Sequence, residues 1–271
     1  MYLGIDVGGT KTLVATLDVN GVIIEKYKFP TPKKYTDFLI ELASNVERLT
    51  TKDFLSAGVG LPVTNFNRDR GVALTFSNLP WKNIPVHADI ENVVHCPVAI
   101  DNDAKLAGLS ESRLRNEIKR LLYVTISTGI GFSLIVDGKI DQNFGDAGGR
   151  LMLLEHNGRL EPWEKFASGK AIVNTYGSMA KDITDPVIWE KVARDMCIGL
   201  LELVAVTEPE LIVIGGSVGE YADRFIKPLN QELKKYETPL LDMPEVEGAK
   251  RPNDAVIYGC YDYCLEVFGK Q

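Results

Sequence analysis

The chain has 271 residues, 45% of them hydrophobic and 25% charged, which suits one large domain or two lobes around a sizeable core. Its formal net charge of −7 excludes a broad nucleic-acid surface, which needs a Lys/Arg excess. No apolar run approaches the roughly 20 residues of a membrane-spanning helix. Met1 leads straight into a strand pattern, so no signal peptide is expected, and Cys96, Cys197, Cys260 and Cys264 are too scattered for a disulfide framework. The expected setting is the reducing cytoplasm, with no nucleic-acid and no membrane partner.

Residues 2–7 read as a strand, followed by the turn Gly8-Gly9-Thr10 and a second strand over 13–17. Asn20-Gly21 signals a hairpin, and Val22 to Phe29 reads as the third strand. Phe38, Leu42, Val46 and Leu49 recur at helical spacing and predict a helix over 35–49. Short strands are expected at 57–61 and 98–101. The opening pattern then returns. Residues 122–126 form a strand pattern, Ser127-Thr128-Gly129-Ile130-Gly131 a turn, 132–136 a second strand, and Asp137-Gly138 a hairpin tip. Strand, glycine turn, strand and tight hairpin thus occur twice, about half a chain apart, which predicts two similar lobes around a ligand cleft. A long buried helix over 188–206, a buried strand over 211–214 ending at Gly215-Gly216, and helices over 221–236 and 255–268 complete the pattern. The last helix is expected to pack back on the first lobe, with Cys260 and Cys264 as small residues one turn apart. The lobes are placed at 1–107 plus 257–271 and at 108–256.

Four places carry chemistry. In Asp6-Val7-Gly8-Gly9-Thr10-Lys11, paired glycines let the backbone bend tightly and turn successive N–H groups toward an anion. Thr10 adds a hydroxyl, and Asp6 is placed to hold magnesium through water. The alternative is a plain hairpin turn. The spacing is neither a P-loop nor a dinucleotide-binding turn. Thr128, Gly129 and Gly131 form the matching turn of the repeat, and two such turns in equivalent places could grip one polyphosphate. Gly215-Gly216 either removes bulk beside a flat ligand such as adenine or makes a strand-to-helix turn. In Asp101-Asn102-Asp103-Ala104, one residue can cap a helix while Asp103 accepts the proton of an attacking sugar hydroxyl and Asn102 orients the sugar.

These segments, together with Gly4-Ile5, Asn78-Leu79-Pro80-Trp81, Glu164 and Ala167-Ser168-Gly169, resemble the ROK family (repressors, open reading frames and sugar kinases) over nearly the whole chain. The resemblance implies an actin-like, RNase-H-like duplicated α/β fold. It implies ATP with magnesium, and phosphorylation of a hexose or N-acetylhexosamine in the manner of a glucokinase. It implies Asp103 as the base, Asn78, Asn102 and Glu164 on the sugar, and a homodimer. A repressor of the family would carry an N-terminal helix-turn-helix, for which this chain leaves no room before its first strand.

The chain departs from the family pattern in three places. The cysteine-rich zinc loop expected before Glu164 is replaced by residues 156–163, which hold no cysteine, so no zinc site is expected. The family's Glu-x-Gly-His sugar motif, expected near 149–152, is Gly149-Arg150-Leu151-Met152 here, without glutamate or histidine. Gly-Val-Pro-Gly becomes Gly60-Leu61-Pro62-Val63. The phosphate turns are intact and the sugar pocket is altered, so weak glucose affinity is expected unless Glu155, His156 or Arg150 substitutes. His156 is either that substitute sugar ligand or a packed loop residue. A polyphosphate-dependent glucokinase and a sugar-binding protein without catalysis are the alternatives to an ATP-dependent kinase.

Overall fold

In the computed structural model, which describes residues 1–269, β1 (Tyr2–Val7) and β2 (Lys11–Leu17), buried almost throughout, and β3 (Ile23–Pro30), which alternates partly buried and exposed residues, form an antiparallel meander. The tip between β2 and β3 is held by the Asp18 carboxylate, which accepts the N–H groups of Asn20 and Val22. Helix α1 (Tyr35–Glu47) buries Phe38, Leu42 and Val46, the expected stripe. Strand β4 (Ser56–Leu61) is buried along its whole length, as a parallel strand covered on both faces must be. A small antiparallel sheet follows, made of β5 (Val63–Asn67), β6 (Val72–Phe76) and β7 (Lys82–Ile84). Next come α2 (Val86–Val94), β8 (Val98–Asn102) and α3 (Asp103–Ser112).

The second set begins with the meander β9 (Arg120–Ile126), β10 (Ile130–Val136) and β11 (Lys139–Ile140). Its tip, Asp137-Gly138, has positive φ at both residues, the turn that matches strand twist in a two-residue hairpin. A second such hairpin joins β12 (Leu153–His156) to β13 (Arg159–Pro162) through Asn157-Gly158. Short helices α4 (Glu164–Ala167) and α5 (Gly169–Tyr176) lead to α6 (Pro186–Thr207). The Asp185 side chain accepts from Val187 N–H, and Pro186 opens α6. These are two favoured start signals together. Strand β14 (Leu211–Gly215), the turn of helix α7 (Gly216–Gly219), α8 (Ala222–Leu233) and β15 (Glu245–Gly248) complete the set. Helix α9 (Ala255–Phe268) closes the described chain.

The two large sheets have one topology. Their strand orders are β3-β2-β1-β4-β8 and β11-β10-β9-β14-β15. In each, the first three strands in sequence are antiparallel and the next two join the first in parallel. The duplication expected from the sequence is thus present in the hydrogen bonding, and the chain is a duplicated α/β fold. It divides into two units, Met1–Ser110 with the segment from Asp254 onward, and Glu111–Asn253. The first has its core between the sheet, α1, α2 and the β5–β7 sheet, around Phe38, Leu42, Val59 and Trp81. On the other sheet face, α9 packs Ile257, Tyr261 and Cys264 against Tyr2, Leu13 and Ala15. Side chains at Gly58 and Gly259 would run into the backbone at Cys260 and Leu106, so α9 approaches β4 and α3 backbone to backbone. The second unit centres on Trp163, Trp189, Met196, Leu200 and Phe225.

Cys260 and Cys264 are both buried in α9. Among the described residues no helix is long and apolar enough to cross a membrane, and no group of three or more His, Cys, Asp or Glu could hold a metal ion.

Candidate functional site

In the first unit the parallel strands bring Asp6, Gly60 and Asp101 into register across β1, β4 and β8. Ligands of open α/β sheets bind beyond the carboxyl ends of such strands, and the residues there are Asp6 and Asp103. Burial and the neighbouring Asp103 charge push the Asp6 carboxyl up to about 7, Lys28 partly opposing and Asp254 adding. Burial likewise raises Asp103 to about 6, opposed by the N–H groups of Ala104 and of Asp103 itself. Buried carboxyls raised in this way at strand ends are a candidate functional site.

The turn between β1 and β2 is braced from the segment after β3. Thr31 Oγ1 donates to Gly8 O at 2.8 Å, Thr31 N–H to Thr10 O at 3.0 Å, and Lys33 Nζ to Gly9 O at 2.9 Å. A methyl group at Gly9 would lie 2.6 Å from Asn78 Cβ. A glycine of the expected phosphate turn and the expected sugar asparagine are therefore neighbours. Trp81 anchors the Asn78 segment, donating from Nε1 to Lys33 O at 3.0 Å and packing on Tyr35, Phe38 and Phe76. Lys33 was not anticipated from the sequence, where nothing distinguishes it from its neighbour Lys34.

The three polar residues at the β8–α3 junction have divided their work. Asn102 is the cap. Its Oδ1 accepts from Ala104 and Lys105 N–H, and its Nδ2 donates to Val63 O at 2.8 Å. Asp101 is fully buried and bound by Arg68 at 2.7 Å. Asp103 keeps its carboxylate at the helix start, with Oδ1 accepting from Ala104 N–H at 2.8 Å. Capping and Val63 leave Asn102 one amide hydrogen beyond these bonds.

In the second unit three glycine segments converge. Ser127 N–H donates to Gly129 O, Gly169 N–H to Ser127 O at 2.7 Å, and Ser217 N–H to Ser127 Oγ at 3.0 Å. Gly216 has φ +80°, and a side chain there would meet Thr125 Oγ1, Ile126 O and Ser127 Oγ, all at 2.6 Å. The turn holding Thr128 and Gly129 thus adjoins Gly215-Gly216, which is a strand-to-helix turn. Glu164 Oε2 would lie 2.7 Å from a methyl group at Gly129, and Glu164 Oε1 is 3.4 Å from Arg150 Nε. Gly131 pairs with Thr125 in the β9–β10 ladder.

His156 Nδ1 faces Glu161 at 3.0 Å, its Nε2 faces Asp195 at 3.5 Å, and its ring stacks on Phe166 at 4.1 Å. Both of its ring nitrogens thus lie beside carboxylates. Sequence reasoning passed over the segment 145–149. Gly145 and Gly148 have φ of +97° and +57°, and a methyl group at Gly148 would lie 2.6 Å from Ile130 O. The signal was there in three glycines within five residues.

The chain is 27% identical to a glucokinase of Halalkalibacterium halodurans, covering 95% of this chain and 93% of that one. A ROK hexokinase structure from Thermus thermophilus superposes with a TM-score of 0.75 at 27% identity, over 98% of this chain and 99% of the other. A ROK glucokinase from Streptomyces griseus, solved with glucose and AMPPNP, shares the fold at 22% identity, with a TM-score of 0.82 over 96% and 98%. The ROK family model matches residues 2–266, and with nearly the whole chain inside that match, the protein belongs to the ROK family.

Proposed function

We propose that this protein is a sugar kinase that moves the γ-phosphoryl group of ATP to a hydroxyl of a hexose or N-acetylhexosamine. The observation that carries the reading is the Asp6–Asp103 pair at the carboxyl ends of β1 and β8, beside a glycine turn whose carbonyls are held away by Thr31 and Lys33. Gly8 N–H donates to Lys11 O at 2.9 Å, and the bracing leaves the N–H groups of Gly9 and Thr10 for an anion. Its relatives include the glucokinase and the hexokinase named above.

Asp103 is the base. A carboxyl raised to about 6 is largely ionised at neutral pH yet more basic than an ordinary aspartate, a good match to proton abstraction. The sugar oxygen forms a bond to the γ-phosphorus as the bond to the bridging oxygen of ATP breaks. ADP leaves with that electron pair, and the hydroxyl proton passes to Asp103. A divalent cation fits the Asp6 carboxylate, because it would offset the Asp103 charge that helps to raise it. Asp6 would hold magnesium through water, and the ion would neutralise charge on the phosphate oxygens.

Gly8, Gly9, Thr10 and Lys11 are assigned to phosphate in the first unit, and Thr128, Gly129 and Gly131 in the second, with Gly215-Gly216 beside the nucleotide base. Asn78, Glu164 and the remaining amide hydrogen of Asn102 are assigned to sugar. The closely packed Gly148 gives a new alignment for the Glu-x-Gly-His motif. Asp146 then stands in the glutamate's place and Gly149 in the histidine's. The sugar carboxylate is shortened rather than lost, and His156 is not needed to replace it. On family resemblance the assembly is proposed to be a cytoplasmic homodimer.

The test is a coupled assay against a panel of hexoses and N-acetylhexosamines, with magnesium ATP and with inorganic polyphosphate in parallel. Turnover with ATP on at least one sugar is expected. Sugar binding by calorimetry without turnover on either donor would refute the kinase reading in favour of a binding protein.

A further inference from the structure

Asp101 precedes the proposed base by two residues but cannot share its work, being fully buried and paired. Asp101 Oδ1 accepts from Arg68 Nη2 at 2.7 Å and from Asn102 N–H at 2.7 Å, and the Tyr263 hydroxyl is also hydrogen-bonded to the Asp101 carboxylate. Arg68 thus reaches, through one carboxylate, the peptide that begins the turn into Asp103. A parallel link runs from Val63 O to Asn102 Nδ2. Both links start from the β5–β6 hairpin, Val63 at its first strand and Arg68 just past the end of β5.

The hairpin end is itself fixed. Gly71 N–H donates to Arg68 O, Arg70 N–H to Asn67 Oδ1 at 3.1 Å, and Gly71, at φ +63°, is pressed against His87 of α2. The guanidinium also lies 5.5 Å from the Phe66 ring. The same small sheet carries Asn78 between β6 and β7. It therefore seats the expected sugar contact at one end and steadies the base at the other.

A buried ion pair is weak evidence for stability, since well-packed apolar residues often serve as well. What a fork-shaped cation contributes over an apolar residue is a fixed direction. Misplacing a catalytic group by about 1 Å can lower turnover about a hundredfold.

We propose that Arg68 is a positioning residue, which through the Asp101 carboxylate fixes the β8–α3 turn and so the place of the Asp103 carboxylate. The role of Asp103 rests on the kinase reading above; the fixing of the turn does not.

The experiment compares Arg68→Ala and Arg68→Lys with Arg70→Gln, an exposed neighbour on the same hairpin that should behave as wild type. Arg68→Ala is expected to lower kcat about ten- to a hundredfold with the nucleotide KM changed less than about twofold. Methylguanidinium should restore part of the loss, because the Arg68 side chain is 26% exposed and leaves a route in. Arg68→Lys should fall between the two, keeping charge without the fork. Hydrogen exchange, which needs no turnover, should quicken at Asn102, Ala104 and Lys105 in Arg68→Ala while β1 and β4 stay protected. A folded Arg68→Ala with wild-type kcat and unchanged exchange at the turn overturns the proposal. So does equal loss of turnover and nucleotide binding in both Arg68 variants, which would mark a general structural role. If wild type phosphorylates no sugar, the kinase reading fails, and the exchange result alone decides whether Arg68 fixes the turn.

Discussion

Replacing Asp6 with asparagine should stabilise the protein while impairing it. The folded state raises the Asp6 carboxyl from 3.8 to about 7 through burial and the Asp103 charge. Each unit corresponds to about 1.36 kcal/mol, so ionising Asp6 in the folded chain costs up to about 4 kcal/mol. The sign follows from proton binding. Between roughly pH 4 and 7 the folded state holds more protons than the unfolded one, so stability falls as pH rises through that window. Asparagine removes the charge and with it the fall. The gain of Asp6→Asn over wild type should be near zero at pH 4, grow through pH 5 to 7, and level off at about 2–4 kcal/mol above pH 8. The assay is thermal unfolding of both proteins from pH 4 to 8.5, with and without magnesium. Magnesium should raise the midpoint of wild type, which holds both carboxylates, more than that of the variant. A difference in midpoint that does not change with pH would refute the reasoning, because it would mean that Asp6 is not a crowded carboxylate.

The other predictions concern the same segments. Asp103→Asn should lower kcat about 100- to 10,000-fold while calorimetry finds nucleotide binding nearly unchanged; near wild-type turnover would place the base elsewhere. Since the working form of Asp103 is ionised and its carboxyl sits at about 6, kcat should fall as pH drops below about 6, and a flat profile down to pH 5 would contradict that assignment. Gly9→Ala should cost more than Gly129→Ala in a melting comparison. The first side chain meets Asn78 Cβ at 2.6 Å, whereas the second meets only the movable end of Glu164. Overpacking of the first kind costs about 1–3 kcal/mol.

The repeated pattern was legible because its signals are local. A strand, a glycine turn and an Asp-Gly tip can be read within twenty residues, and both meanders formed where they were expected. The β5–β7 sheet was not legible. Its register shifts between Val63, Asn65 and Phe66 break the alternation that identifies a strand. The β12–β13 hairpin does carry a local signal, Asn157-Gly158 with positive φ at both residues, within the stretch that stands in place of the family's cysteine loop. The helix expected over 221–236 stops at Leu233 and tightens into a 3-10 turn over Lys234–Tyr236. At the site, the segment Asp101–Asp103 showed that one residue would cap, and only the structure tells which. Arg68 is 33 residues from Asp101, and no spacing rule connects them.

Helix α9 has a consequence for how the protein is made. The first unit is begun early but must wait for α9, since that helix covers Tyr2, Leu13, Ala15 and Leu17. Translation proceeds at about 5–20 residues per second, so the roughly 150 residues between β8 and α9 keep that apolar face open for about 10–30 seconds. The half that is made first therefore cannot complete its core until α9 emerges, and its uncovered sheet face is exposed to chaperones throughout that interval.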